Sequence, residues 1–199
     1  PIIDQENLGA RISINSKILL KLIDKTKFAI SNEETRYFLN GLYFNINREN
    51  DTNVVTLVGT DGHRLAKFSH NLESDIDEIS GVIIPKKTIY ELSKLLSEID
   101  DNVEILISSN KVIFFIGNII FISKLIDGSF PDYKRVIPKD NSNILKINRE
   151  ILLSAVDRVS TIANEKSPVI KFKLFKNVLN LNTVNNESST ASEDLNINY

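Results

Sequence analysis

Ile14-Asn15-Ser16-Lys17-Ile18-Leu19-Leu20 returns later in the chain as Ile147-Asn148-Arg149-Glu150-Ile151-Leu152-Leu153, with five of the seven positions identical. The match continues outward. Asp24 faces Asp157, Lys25 faces Arg158, and Asn32-Glu33 faces Asn164-Glu165 after a slip of one residue. After each copy comes an apolar, aromatic stretch, residues 36–46 and then 169–175, followed by a turn and another strand. Self-similarity at so long a period implies two domains built on one plan. The first copy reads as a helix over residues 14–30. Asn15 or Ser16 is its N-cap, and Ile18, Leu19, Leu22 and Ile23 form its apolar stripe. Lys17, Lys21 and Lys25 recur every four residues and share another face. That face is either simply solvated or a cationic surface.

Between the copies the pattern turns to strands. Residues 36–46 read as a strand with Gly41 as a bulge, residues 48–53 as a turn and residues 54–60 as the returning strand. Asp61-Gly62 is a hairpin signal before a strand at 63–68. Residues 73–78 form an acidic loop, and residues 82–84 a short buried strand. Pro85 opens a second helix with Ile89, Leu92, Leu95 and Leu96 inside. Lys87 and Lys94, two turns apart, align on its other face. Residues 103–108, 111–117 and 119–125 read as three strands turning at Ser109-Asn110 and Gly117-Asn118. A long loop at 126–139 leads to a polar boundary at 140–143. The expected organisation is a leading linker at 1–9, a complete domain at 10–140, and the first part of a second at 141–199. The second copy stops short of the plan of the first, so the chain is expected to be a piece of a longer protein.

Composition narrows the chemistry. Hydrophobic residues make up 42% of the 199 positions and charged residues 25%. With no cysteine there are no disulfides and no thiolate metal sites, and a cytoplasmic setting is the expectation. No apolar run approaches the roughly 20 residues a membrane helix needs. The formal net charge is −2, so any surface that meets a polyanion must be local.

Thr60-Asp61-Gly62-His63-Arg64-Leu65-Ala66 is the most specific string. Before it stands Arg36-Tyr37-Phe38-Leu39-Asn40-Gly41. After it come Ser123-Lys124-Leu125-Ile126-Asp127-Gly128, then Phe130-Pro131-Asp132-Tyr133-Lys134-Arg135-Val136-Ile137-Pro138, then Asn164-Glu165-Lys166. In this order and spacing the segments resemble the bacterial DNA polymerase III beta subunit, the replicative sliding clamp, over nearly the whole chain.

The resemblance implies an α+β fold of sliding-clamp domains, each with helices on one face of antiparallel sheets. Residues 10–140 match the middle domain and 141–199 the start of the third. It implies a homodimeric ring around duplex DNA that tethers DNA polymerase III and clamp-loader subunits through short linear peptides, with no cofactor and no catalysis. The peptide cleft would be lined by Leu39, Thr60, Gly62, His63, Arg64, Leu65, Pro131, Arg135 and Val136. The DNA-facing set would be Arg36, Tyr37 and Phe38 with Lys17, Lys21, Lys25, Lys87 and Lys94. Scattered lysines on helices suit a protein that holds phosphates without reading bases. The acidic run 73–78 would then lie outside, segregating the charge. Tyr37 and Phe38 face either DNA or the core, because neighbouring strand residues point to opposite faces. A chain without the first domain is expected to be mostly monomeric. Two rivals stand beside this reading. One is an interaction module with no DNA role. The other is a hydrolase using Asp61, His63 and Ser69, for which no nucleophile elbow, phosphate loop or metal spacing is present.

Overall fold

The computed structural model describes residues 9–72, 79–164, 168–185 and 189–199. Residues 1–8 of the expected linker at 1–9, the acidic loop at 73–78 and the Glu165-Lys166 pair lie outside them. The chain divides into two compact units, Pro1–Asp132 and Tyr133–Tyr199. The division falls eight residues before the boundary read at 140.

In the first unit, β1 (Arg11–Asn15) leads directly into α1 (Ser16–Asp24). Asn15 is the N-cap, its side chain accepting from the Lys17 N–H at 3.0 Å. The helix is shorter than the 14–30 expected. The Thr26 hydroxyl donates to the Leu22 carbonyl at 2.7 Å, and the chain then tightens into a 3₁₀ turn at Lys27–Ala29. A second 3₁₀ turn, Tyr37–Leu39, replaces the first part of the strand expected at 36–46.

The strand β2 (Gly41–Glu49) begins only at Gly41, where the backbones pack so closely that a Cβ would lie 2.3 Å from the Ile84 carbonyl oxygen. The register irregularity falls between Phe44 and Ile46 rather than at Gly41. Then come β3 (Thr52–Thr60), β4 (Leu65–Leu72) and β5 (Ile79–Pro85), which give a sheet of order β4-β3-β2-β5. After α2 (Lys86–Ser97), the strands β6 (Asn102–Ile107), β7 (Lys111–Ile116) and β8 (Ile119–Lys124) form a second sheet, β1-β6-β7-β8. All the pairings in both sheets are antiparallel.

One core cluster joins both sheets and both helices. Ile12, Ile14, Val103, Ile105 and Phe114 come from one sheet, and Leu42, Phe44, Ile46, Val55 and Leu57 from the other. Leu19, Leu22, Ile89 and Leu92 come from the helices. The period-two alternation of β1 and the 3.6-residue stripes of α1 and α2 therefore converge on a single interior. At the β5 edge the Tyr43 ring lies across Gly81, where a Cβ would sit 1.9 Å from ring atoms. The same ring stacks on Phe130 at 4.9 Å and 18°.

The second unit repeats part of this plan. α3 (Arg149–Ser160) is capped by Asn148, whose side chain accepts from the Glu150 and Ile151 N–H groups at 2.8 and 3.2 Å. The strands β9 (Lys171–Phe175), β10 (Val178–Val184) and β11 (Thr190–Asn196) follow as an antiparallel meander, β11-β10-β9. The helix and the meander thus recur in the same order as α1 with β2, β3 and β4, as the repeat in the sequence implied. Among the described residues no helix is long and apolar enough to cross a membrane.

Candidate functional site

The turn between β3 and β4 is built around Asp61. One oxygen, Oδ1, accepts from the His63 and Arg64 N–H groups, both at 2.9 Å. The other, Oδ2, accepts from Arg64 Nε at 3.1 Å. These donors, the Arg64 N–H foremost, hold the Asp61 carboxyl below the usual carboxylate range. Thr60 closes the base, its hydroxyl donating to the Arg64 carbonyl at 2.7 Å and accepting from the Gly62 N–H at 3.1 Å. Gly62 has φ +88°, a conformation that favours glycine.

From outside, the Arg36 guanidinium grips the turn. Its Nη2 donates to the Asp61 carbonyl at 3.0 Å, while Nε and Nη2 reach the Glu33 carboxylate at 2.8 and 2.6 Å. That hydrogen-bonded pair depresses the Glu33 carboxyl and raises Arg36. Arg64 in turn donates from Nη2 to the Phe28 carbonyl at 2.8 Å and lies over the exposed Phe28 ring at 5.8 Å.

The expected cleft residues separate by exposure. Gly62, His63, Arg64 and Pro131 are exposed, and Leu65 is half-buried. Leu39 and Thr60 are buried, at 2% and 8% exposure. Arg135 and Val136 belong to the second unit; Arg135 ends the 3₁₀ turn Tyr133–Arg135, and Val136 is exposed. Clefts of about 650 and 380 Å3 flank β5 and the ends of β6 and β8, and neither is lined by an expected site residue.

On the helical side, α1 and α2 pack together and keep Lys17, Lys21, Lys25, Lys87 and Lys94 exposed. Acidic residues accompany two of these lysines. Lys17 pairs with Asp100, and Lys94 with Glu91 at 3.0 Å. Lys21 sits over the Phe68 ring at 5.7 Å. Lys25 and Lys87 have no carboxylate partner among the described residues. Exposed pairs of this kind are worth about 0–1 kcal/mol, so a phosphate can displace the acid.

Arg36 is held by Glu33 and the turn. Tyr37 is 54% exposed beside the half-buried Phe38, with their rings 5.8 Å apart and edge to face. Sequence reasoning missed Glu33, Phe28 and a second cationic group. In the latter, Lys27 and Lys86 stand 5.5 and 5.8 Å from the Tyr90 ring centroid, with Lys27 also 2.7 Å from Asp24.

Two family models match in succession: the DNA polymerase III beta subunit central domain over residues 13–132, and its C-terminal domain over residues 134–199. The chain belongs to the DNA polymerase III beta subunit family. Among relatives, the beta sliding clamp of Caulobacter vibrioides is 42% identical over 199 residues, covering 100% of this chain and 54% of its own length. That of Haemophilus influenzae is 39% identical over 181 residues, covering 91% and 48%. The chain thus spans about half the length of the curated relatives it matches. Among solved structures, the sliding clamp of Bartonella birtlesii bound to griselimycin superposes with TM-score 0.92 at 46% identity, covering 100% of this chain and 54% of that one. A Caulobacter crescentus beta sliding clamp superposes with TM-score 0.94 at 42% identity, covering 100% and 53%. The α+β fold of the beta subunit family is therefore the fold of this chain.

Proposed function

We propose that this chain serves as part of a non-catalytic sliding clamp, a homodimeric ring that encircles duplex DNA in the cytoplasm. Polymerase and clamp-loader subunits would be tethered through short peptides at the 60–65 turn. The observation that carries this reading is the Asp61-centred turn. Its N–H groups at 62, 63 and 64 are all hydrogen-bonded within the turn, yet it presents exposed His63 and Arg64 beside half-buried Leu65. A rigid turn of this kind offers an apolar contact and two polar donors at little ordering cost. Pro131 is proposed as a further contact. DNA contact is assigned to the lysines of α1 and α2 and to Tyr37, as a weak electrostatic attraction that falls steeply with salt.

Fluorescence anisotropy with a labelled Gln-Leu-Ala-Leu-Phe peptide tests the peptide half. Leu65→Asp is expected to abolish binding, and an unchanged titration curve for that variant overturns the assignment.

A second reading, an interaction module without a DNA role, draws support from the ion pairing of Lys17 and Lys94. Duplex binding by a Lys25→Glu, Lys87→Glu double variant separates the two. A lost affinity supports the clamp, and an unchanged one supports the module.

A further inference from the structure

Arg36 was expected at the DNA surface, but its Nε and Nη2 donors already go to Glu33 and the turn. A guanidinium has five N–H donors in a rigid fork. Here Nε and Nη2 take both Glu33 oxygens, and Nη2 also reaches the Asp61 carbonyl. Nη1 packs against Gly62 so closely that a Cβ there would lie 2.4 Å from it. Glu33 is itself fixed, its N–H donating to Ser31 Oγ at 3.0 Å and its carbonyl accepting from Asn40 Nδ2 at 3.0 Å. A continuous set of contacts therefore runs from Ser31 and Asn40 through Glu33 and Arg36 to the backbone of the 61–64 turn. For Arg36 to grip a phosphate through its Nε–Nη2 edge, it would have to release Glu33 and the turn together.

We infer that Arg36 is a positioning residue for the peptide-accepting turn, acting through the Asp61 carbonyl and Gly62 rather than by touching peptide or DNA. The inference rests on the reading of residues 60–65 as the peptide surface. Its physical content is the fork: a lysine keeps the charge but cannot hold two carboxylate oxygens and a carbonyl in one plane.

Arg36→Lys is the deciding variant, studied in the whole chain by three measurements. Amide hydrogen exchange at His63 and Arg64, whose N–H groups donate to Asp61, reports the order of the turn. Anisotropy with the Gln-Leu-Ala-Leu-Phe peptide and with a short duplex reports the two ligands. The expected result is faster exchange at those two amides with unchanged exchange in β3. Peptide affinity should fall by about tenfold, as for loss of a hydrogen bond to a charged group, while duplex affinity holds. Wild-type exchange at His63 and Arg64 in the variant overturns the inference. So does weaker peptide binding with unchanged exchange, which would make Arg36 a direct contact. If the wild-type chain binds no peptide, the peptide reading of the turn fails, and the exchange measurement still decides whether Arg36 orders it.

Discussion

α1 and α3 start with the same motif and meet different surroundings. In the first unit Ile18 and Leu20 are half-buried, because α2 lies beside α1 and a second sheet closes the interior. The matching residues Ile151 and Leu153 of α3 are 55% and 49% exposed. The strands show the same contrast. β2 buries Leu42, Phe44 and Ile46 beneath the helices and pairs with β5 along its outer edge. β9 occupies the corresponding place in the second meander and carries Phe172 and Leu174 at 52% and 44% exposure. Their cross-strand partners on β10, Leu181 and Leu179, are buried in the cluster with Ala155, Val159 and Leu195. A helix and a meander thus form from their own pattern, and it takes further layers to bury what the pattern leaves outside.

The sharpest way to break this comparison is at the aromatic positions of the two meanders. Phe44→Ala should cost about 3–5 kcal/mol in the first unit, as for other buried phenylalanines. Phe172→Ala should stay within about 0.5 kcal/mol, as an exposed substitution does. Denaturant titration followed separately in each unit by amide resonances measures both, and similar costs would show that β9 is covered in solution.

A second test exchanges the helices' central residues. Leu22, fully buried, matches Ala155, also fully buried, in the repeat. Leu22→Ala should destabilise the first unit by about 2–5 kcal/mol through the cavity it leaves. Ala155→Leu should cost the second about 1–3 kcal/mol by overpacking. Calorimetric midpoints check both, and a stabilising Ala155→Leu would mean that α3 sits loosely on its sheet.

The caps are the third point of comparison. Asn15 and Asn148 each cap a helix, but Asn148 accepts two N–H groups and Asn15 accepts one. Substituting alanine should cost about 1 kcal/mol at either position, more at Asn148. Equal losses by denaturation would show that the second acceptor contact adds nothing.

The smallest effect is expected from acid. The hydrogen bonds from Arg158, at 3.0 and 2.5 Å, hold the Glu193 carboxyl below the usual glutamate range. A depressed folded-state value means the pair's contribution is complete above the unfolded glutamate value, about 4.3. It is lost as pH falls through the lower folded value. Amide protection of Leu179 and Leu181 should therefore weaken on acidification in the wild type and show less of that dependence in Arg158→Gln.

Much of the fold was readable in the sequence because it rests on local periodicity. The Ile-Asn-x-x-Ile-Leu-Leu repeat located both helix starts, and Gly117-Asn118 marked the turn before β8, with Gly117 at φ +54°. What escaped depends on contacts distant in sequence. β1 was not read as a strand, its last residues being taken into the helix start, because five residues carry little pattern and its strand character comes from pairing with β6 some 90 positions on. Residues 37–39 have strand-like composition, yet the Leu39 N–H is drawn back to the Arg36 carbonyl at 2.9 Å, and a 3₁₀ turn results. At the candidate site, the 60–66 string was visible as a turn. Its dependence on Glu33 and Arg36 was not, since 25 residues separate Arg36 from Asp61. The lysine faces were visible too, but Asp100 meets Lys17 only after α2 has folded back beside α1.

The Tyr43 ring, laid across Gly81 and stacked on Phe130, gives the β5 edge an optical handle. The protein has no tryptophan and five tyrosines, so tyrosine dominates its near-ultraviolet absorption. Burial pushes the Tyr43 hydroxyl above the usual phenol range. Phenolate appearing at that residue therefore signals that water has reached the ring, and a glycine with no signal of its own becomes legible through its neighbour's colour.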